Sequence, residues 1–293
     1  MNTDEVFTEH RGLLFSIAYE ITGSVADSED VLQESYIRWA RADTAEVADP
    51  RAYAAQIVTR QALNSLRSAQ RRREEYVGPW LPEPLLTSPD AAQEVELAES
   101  VSTAMLLVLE TLKPVERVVF VMREVFGFDY DRIAETVDRS ESAVRQIAHR
   151  AREHVRSRQR RFEPLGDETA RVVEAFLVAA TTGDLDGLLT LLDPDVVYLA
   201  DGGGKVTAAR VPVTGAARVA RLFLGLVRHP LPDMTLEIAS VNAMPGILVY
   251  SAGVLDLVLQ LEIDEGRVTG VYVVRNPDKL THLGARTGNG EPS

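Results

Sequence analysis

The sequence predicts two helical units followed by an α+β unit. Apolar residues recur at helical spacing as far as about Arg161, a proline-rich break interrupts them after Arg73, and strand-like segments dominate the last hundred residues. The length of 293 residues accommodates two or three domains at ~100–200 residues each. A hydrophobic content of 45% supplies ordinary cores. The chain has no cysteine, which excludes disulfides, Cys-ligated zinc, iron–sulfur clusters and thiol nucleophiles. No apolar run approaches the ~18 residues of a membrane span, and the opening MNTDEVFTEHR is acidic and polar, unlike a signal peptide. A cytoplasmic protein without a membrane partner is therefore expected.

The first unit begins with apolar positions Leu13, Leu14, Ile17 and Ala18, then Val31, Leu32, Tyr36 and Trp39, at helical spacing. Gly23 and Ser24 divide these into two helices. Ser28 is the expected cap of the second, with Glu29 and Asp30 in the first turn, where the helix dipole favours acids. Asp49-Pro50 opens a third helix running to about Arg73. Next comes Gly78-Pro79-Trp80-Leu81-Pro82-Glu83-Pro84-Leu85, whose prolines demand an extended or polyproline-like strip. Helical spacing resumes over 91–112 and 114–126. Past the linker Pro164-Leu165-Gly166, residues 167–192 read as two helices, 195–213 as alternating strands, 214–228 as a helix and 233–274 as four strands.

The net charge of −13 is unevenly distributed. Residues 51–73 carry six arginines and no acid, while residues 139–161 carry eight arginines against two acids, so each island is +6. Between them, residues 74–110 hold eight acids and no base. An acidic chain repels nucleic acid overall, but such islands bind phosphate locally.

The second island lies in a segment with helix-turn-helix logic, Ile133 to Arg145. Small Ala134 permits a close helix crossing, Asp138 stands where the turn needs a left-handed residue, and Ser140 is placed to cap the next helix. On that helix Val144, Ala148, Ala151 and Val155 face inward at spacings of 4, 3 and 4. Ser142, Arg145, Gln146, His149, Arg150 and Arg152 are the candidate outer contacts, residue types that reach base edges and phosphates in a major groove.

The run Leu112-Lys113-Pro114-Val115-Glu116-Arg117-Val118-Val119-Phe120, followed by this helix-turn-helix, resembles region 4 of extracytoplasmic-function sigma factors of the sigma-70 family. Asp27-Ser28-Glu29-Asp30-Val31-Leu32-Gln33-Glu34 resembles their region 2.2, and Asp49-Pro50-Arg51-Ala52-Tyr53 through Leu66-Arg67 resembles regions 2.3–2.4. The resemblance implies a subunit that directs bacterial RNA polymerase to promoters. Region 2 would dock on the polymerase β′ clamp through Asp27, Glu29, Asp30 and Glu34, and read the −10 element through Arg60, Gln61, Asn64 and Arg67. Region 4, adjoining the β flap, would read the −35 element. Arg60 stands where the family commonly has Asn, Asn64 where it commonly has Asp, and Ile147 where it commonly has a basic residue. The implied segments are region 2 at 1–73, an acidic proline-containing linker at 74–103, region 4 at 104–161 and an extension at 162–293.

The extension has the element order of the cone-shaped α+β fold of SnoaL-like, NTF2-like domains. Three short words, Trp80-Leu81-Pro82-Glu83-Pro84-Leu85, Asp201-Gly202-Gly203-Gly204-Lys205 and Asn276-Pro277-Asp278-Lys279-Leu280, resemble those of the sigma-factor-J-type subgroup with such a fused extension. Asp201 to Lys205 lacks the spacing of a phosphate loop. Its glycines instead allow close backbone approach, suited to docking the apolar strip. The extension is thus expected to regulate the factor in place of a separate anti-sigma factor.

Folds of this shape also host cyclases, for which Asp201, His229 and Asp256 are the candidate proton carriers, but no paired-acid or Asp–His spacing calls for catalysis. The expectation is a non-enzyme without metal or cofactor. Its concave pocket is a candidate for a small-molecule ligand that the sequence does not identify. The competing classes are a helix-turn-helix repressor with an effector domain, and a SnoaL-like enzyme with a DNA-binding appendage.

Overall fold

The structure, a computed structural model, describes residues 3–42, 47, 49–87, 102–157, 167–229 and 231–284. The chain divides into two compact units, Met1–Glu75 with Pro89–Gln159, and Tyr76–Ser88 with Arg160–Ser293. No described helix is long and apolar enough to cross a membrane.

The first unit begins with helices α1 (Thr3–Glu9), α2 (Arg11–Thr22), α3 (Val25–Arg41) and α4 (Pro50–Glu74). Gly23, at φ 69°, ends α2 in the left-handed conformation that glycine adopts without a Cβ penalty. The cap of α3 is Ser24, not Ser28: Ser24 Oγ accepts from the Asp27 amide. Ser28 lies one turn further in, fully buried, its hydroxyl 2.6 Å from the Ser24 carbonyl and 2.9 Å from Thr22 Oγ1. The serine nearest the glycine break is the one with free helix amides ahead of it. Asp49 caps α4 at the Ala52 amide, with Pro50 in the first turn. Leu14, Ile17, Val31, Val58 and Leu66 form the buried core of these helices.

The same unit continues with α5 (Thr103–Glu110), α6 (Pro114–Phe120), a π-helical turn (Val121–Val125), α7 (Tyr130–Val137) and α8 (Glu141–Arg156). Ser102 caps α5; the expected helix over 91–101 lies outside the described residues. Asp138 adopts φ 53° at the end of α7, and Ser140 Oγ accepts from the Ala143 amide at the start of α8. Val144, Ala148, Ala151 and Val155 are buried.

The second unit holds helices α9 (Asp167–Thr182), α10 (Leu185–Leu191) and α11 (Ala216–Val227), with strands β1 (Leu192–Asp201), β2 (Val213–Thr214), β3 (Thr235–Val241), β4 (Met244–Ser251), β5 (Val254–Asp264) and β6 (Arg267–Val274). They form one sheet in the order β2-β1-β6-β5-β4-β3, with only the β1–β6 pair parallel. Three two-residue hairpins join β3 to β6 through Asn242-Ala243, Ala252-Gly253 and Glu265-Gly266, all at positive φ. That backbone matches the right-handed strand twist. The helices pack on one sheet face over Phe176, Tyr198, Phe223, Val249, Leu261 and Val271. The Phe223 ring meets Phe176 edge-on at 5.1 Å and Tyr198 at 6.1 Å. The alternation expected over 195–213 is a strand only at its two ends. Residues 202–212 form a loop, because Gly203 and Gly204 are left-handed (φ 58° and 71°) and Pro212 has no amide hydrogen.

The units do not follow the sequence segments one for one. Both helical segments share a unit, and residues 76–88 leave it to pack with the extension, where Leu81 is completely buried.

Candidate functional site

Helix α8 presents Ser142, Gln146, His149 and Arg150 to solvent, opposite its buried face. Arg145 is exposed and prepositioned: its guanidinium is 2.5 Å from Glu141 Oε1 and 4.4 Å from the centre of the Tyr130 ring. Arg123 also lies against Tyr130, at 4.5 Å. Arg152 is half-buried, 3.2 Å from Glu124 and 3.3 Å from the Tyr130 hydroxyl. A stripe of amide, imidazole and guanidinium groups on a rigid, capped helix is suited to base edges and phosphates.

On α3, Asp30 and Glu34 are exposed and Asp27 and Glu29 half-buried. Glu29 is held by Arg11 at 2.6 Å. On α4, Asn64 and Arg67 face solvent. Gln61 does not: it is buried, on the turn of α4 that faces α3, and its Nε2 donates to Glu34 Oε2 at 2.7 Å. Arg60 is exposed but engaged, donating to the carbonyls of Glu135 (2.6 Å) and Thr136 (3.3 Å) at the end of α7.

Arg60 is one half of a reciprocal arrangement. In the other direction, buried Arg117 of α6 donates to the Glu20 carbonyl at 3.1 and 3.2 Å at the end of α2; Arg73 of α4, from the same segment as α2, donates to the Thr22 carbonyl beside it at 2.7 Å. Glu110 pairs with both arginines. Burial lowers the Arg73 pKa, and Glu110 opposes that effect. Helix C-termini carry partial negative charge and unpaired carbonyls, so guanidinium caps satisfy both needs. The two sigma-like segments are thereby joined by Arg60 and Arg117, each capping a helix of the other, and by the Arg73–Glu110 pair.

The linker word and the two words of the extension meet in the second unit around one carboxylate. Asp201 ends β1 with zero exposure. Its Oδ1 accepts from the Tyr76 hydroxyl at 2.6 Å and the Gly203 amide at 3.0 Å. Its Oδ2 accepts from the Leu81 amide at 2.9 Å and from Lys279 Nζ at 2.8 Å. Lys279 Nζ also donates to the Leu81 carbonyl at 2.5 Å and sits 4.0 Å from the centre of the Trp80 ring. Asn276 Nδ2 donates to the Tyr76 hydroxyl at 2.8 Å, and Lys205 pairs with Asp278. Pro277–Lys279 form a 3₁₀ turn that aims Lys279, and Leu280 behind it is buried. The glycines are needed sterically: a Cβ on Gly203 would lie 2.3 Å from Asn276 Nδ2, on Gly204 3.1 Å from Val77, and on Gly202 2.7 Å from the Val206 carbonyl. Burial first, then the hydrogen bond to Asp201, raises the Tyr76 pKa well above the ordinary phenol value.

Further along the strip, Pro82, Glu83 and Pro84 are buried, and the Pro84 carbonyl lies 2.8 Å from His282 Nε2. Leu85 exchanges two hydrogen bonds with Asn242, at 2.6 and 2.8 Å. Leu86 bridges antiparallel to Val241, and the Thr87 amide donates to the Ser240 carbonyl at 2.9 Å. The strip thus lengthens the edge of the sheet at β3. Sequence reasoning missed Tyr76, Thr87, Ser240, Asn242 and His282. Only Asn242 carried a signal, an Asn between two strand patterns where a hairpin wants a left-handed residue. Of the other acids and bases, Asp256 forms a two-pronged ion pair with Arg275 (2.8 and 3.2 Å), and His229 is exposed just past α11.

The chain is similar to known proteins over nearly its whole length. The family description "Sigma-70 region 2" matches residues 6–72, and "Sigma-70, region 4" matches residues 102–155. The ECF RNA polymerase sigma factor SigJ of Mycobacterium tuberculosis is 37% identical over 301 residues, spanning 98% of this chain and 96% of the relative. The probable ECF RNA polymerase sigma factor SigI of the same organism is 34% identical over 285 residues, spanning 96% of each. The crystal structure of M. tuberculosis SigJ superposes with a TM-score of 0.76 at 33% identity, covering 94% of this chain and 97% of that one. Two helical sigma regions, a capped recognition helix and a full-length match through the α+β extension lead to one assignment: the chain belongs to the extracytoplasmic-function family of RNA polymerase sigma factors.

Proposed function

We propose that this factor brings cytoplasmic RNA polymerase to promoters through three surfaces, and that its extension controls the process by holding the strip that links regions 2 and 4. The exposed carboxylates of α3, with Asp30 and Glu34 foremost, meet a basic surface of the β′ clamp. Asn64 and Arg67, joined by Arg60, contact the −10 element. The outer face of α8 reads the −35 element. Arg60 caps α7, so in this arrangement it is unavailable to DNA until region 4 moves away. Gln61, buried against Glu34, supports the α3–α4 pairing that presents both surfaces.

The observation that carries the regulatory reading is the capture of the strip by Asp201 and Lys279. Residues 76–88 connect α4 to the segment preceding α5, so a domain that grips them sets how much of the tether is free. Docking a stiff, proline-rich strip forfeits little conformational entropy, which favours this intramolecular contact. Both oxygens of Asp201 are taken within this grip on the strip, the Asp201 clamp, by Tyr76, Gly203, Leu81 and Lys279, which gives the acid a structural role.

Run-off transcription with purified core polymerase tests the whole reading. Promoter-directed transcripts are expected from the full chain, with altered yield when Gly202–Gly204 are replaced by alanines. A repressor gives no promoter-directed initiation with core enzyme, and that result would remove the sigma-factor assignment of these surfaces. Yield unchanged by the glycine replacement would remove the regulatory role.

A further inference from the structure

Beside the clamp, the second unit contains a polar cavity of about 540 Å³ between the strip and the loop that follows Asp201. Its size lies in the range of small-molecule sites, ~300–1,000 Å³. Val77 and Gly78 form one wall, and Gly204, Lys205, Arg210 and Arg275 form much of the rest. The charged side chains lining it are three cations and no acid. Arg275 is committed to structure, fixed by Asp256 and by its own bond to the Thr207 carbonyl at 3.1 Å. Lys205 pairs with Asp278 at an exposed position, where the contact exchanges readily with solvent or a stronger partner. Arg210 is exposed, and among the described residues no carboxylate pairs with it. Glycine and alanine elsewhere in the lining leave the space unfilled.

We propose that this cavity binds a small oxyanion-bearing metabolite, its carboxylate or phosphate head taken by the Arg210 fork with Lys205 beside it. Guanidinium groups bind both heads in the same two-pronged geometry. The inference rests on the reading that Asp201 and Lys279 hold the strip, and deepens it, because such a ligand touches the strip at Val77–Gly78 and the loop at Gly204–Arg210 together. Free energy of binding to both walls adds to the docked state only, so the anion holds the strip in place.

The test uses the full-length chain labelled with ¹⁵N, titrated with inorganic phosphate and in a parallel arm with succinate, each against sodium chloride at equal ionic strength. Saturable shifts of the Gly78 and Gly204 amides are expected in at least one arm, and the tighter arm identifies the head group. Arg210→Gln, a change at an exposed side chain, is expected to weaken that binding about tenfold. Hydrogen exchange at the Leu81 amide should slow on saturation. Shifts that merely follow salt in both arms, saturable binding indifferent to Arg210→Gln, or binding without protection of Leu81 would each overturn the proposal. None of these readouts involves transcription, so their failure leaves the clamp's regulatory role standing. A clamp variant without transcriptional effect would sink that role and leave the cavity's binding intact.

Discussion

At the scale of single residues, Asp201 is the side chain on which the second unit's polar network converges. A carboxylate with no exposure is tolerated because four donors surround it, one of them the ammonium of Lys279. Asp201→Ala leaves that ammonium buried beside aromatic rings without its counter-ion, a defect of about 3–5 kcal/mol. Urea unfolding of the second unit should register it, and adding Lys279→Met should recover part of the loss. An unchanged unfolding midpoint in the single variant would show that the pair contributes nothing. Tyr76 makes a separate, pH-dependent contribution. Its pKa is raised in the folded state, so its contribution is complete below the ordinary phenol value of 10.0 and declines as pH climbs above it. Strip docking, followed by amide exchange at Leu81 or by Trp80 fluorescence, should therefore be flat from neutral pH to about 9 and weaken beyond 10. Tyr76→Phe should abolish the alkaline component; a variant with the same alkaline profile would place the effect elsewhere.

At the scale of elements, the proposed role of α8 divides its DNA contacts into two kinds. Gln146 has the amide geometry to read a base edge, and Arg150 on the same side is an exposed cation that forms no ion pair among the described residues. Gln146→Ala should cost about 1–3 kcal/mol on the preferred −35 sequence and relax the choice at one position. Arg150→Ala should weaken binding across sequences and reduce the salt slope by about one. Titrating duplexes with single-position changes at several salt concentrations distinguishes them. If both variants lose affinity equally on every duplex, α8 holds DNA without reading it. The element itself was legible beforehand: Asp138 in the turn, Ser140 as cap and the buried Val144–Ala148–Ala151–Val155 row all follow from local stereochemistry and helical period. The cap of α3 was misplaced by one turn because two serines compete within five residues, and only the buried partners of Ser28 decide between them.

At the scale of the whole molecule, the chain leaves the helical unit at Tyr76 and returns to it at Pro89, so covalent order and compact units disagree. Removing residues 277–293 deletes Lys279 and Leu280 and withdraws the ammonium from Asp201. Chymotrypsin should then cut after Trp80 at least about tenfold faster, since proteolysis follows the population of the open form. The helical unit should stay intact, because its own junction rests on the Arg60, Arg73 and Arg117 caps. Equal cleavage in the full and truncated chains would mean that Lys279 does not hold the strip. The parallel β1–β6 pair works at the same scale: it places Asp201, at the end of β1, opposite Val274, two residues before Asn276.

From its amino acids alone the chain determined its helices, most of its strands, its recognition-helix faces and its family resemblance, because periodicity, capping and turn preference act over a few neighbouring residues. Docking of the proline-rich strip on the Asp201 loop was expected from the sequence; tertiary structure alone decided which atoms hold it, that Gln61 is a buried partner of Glu34, and that Arg60 caps a helix of the other region. It also decided that Asp201 gathers donors from Tyr76, Leu81 and Lys279, up to 125 positions away. Local rules say which groups need partners. Which partner each receives depends on how the sheet and helices close, and that is settled only when distant segments are buried together.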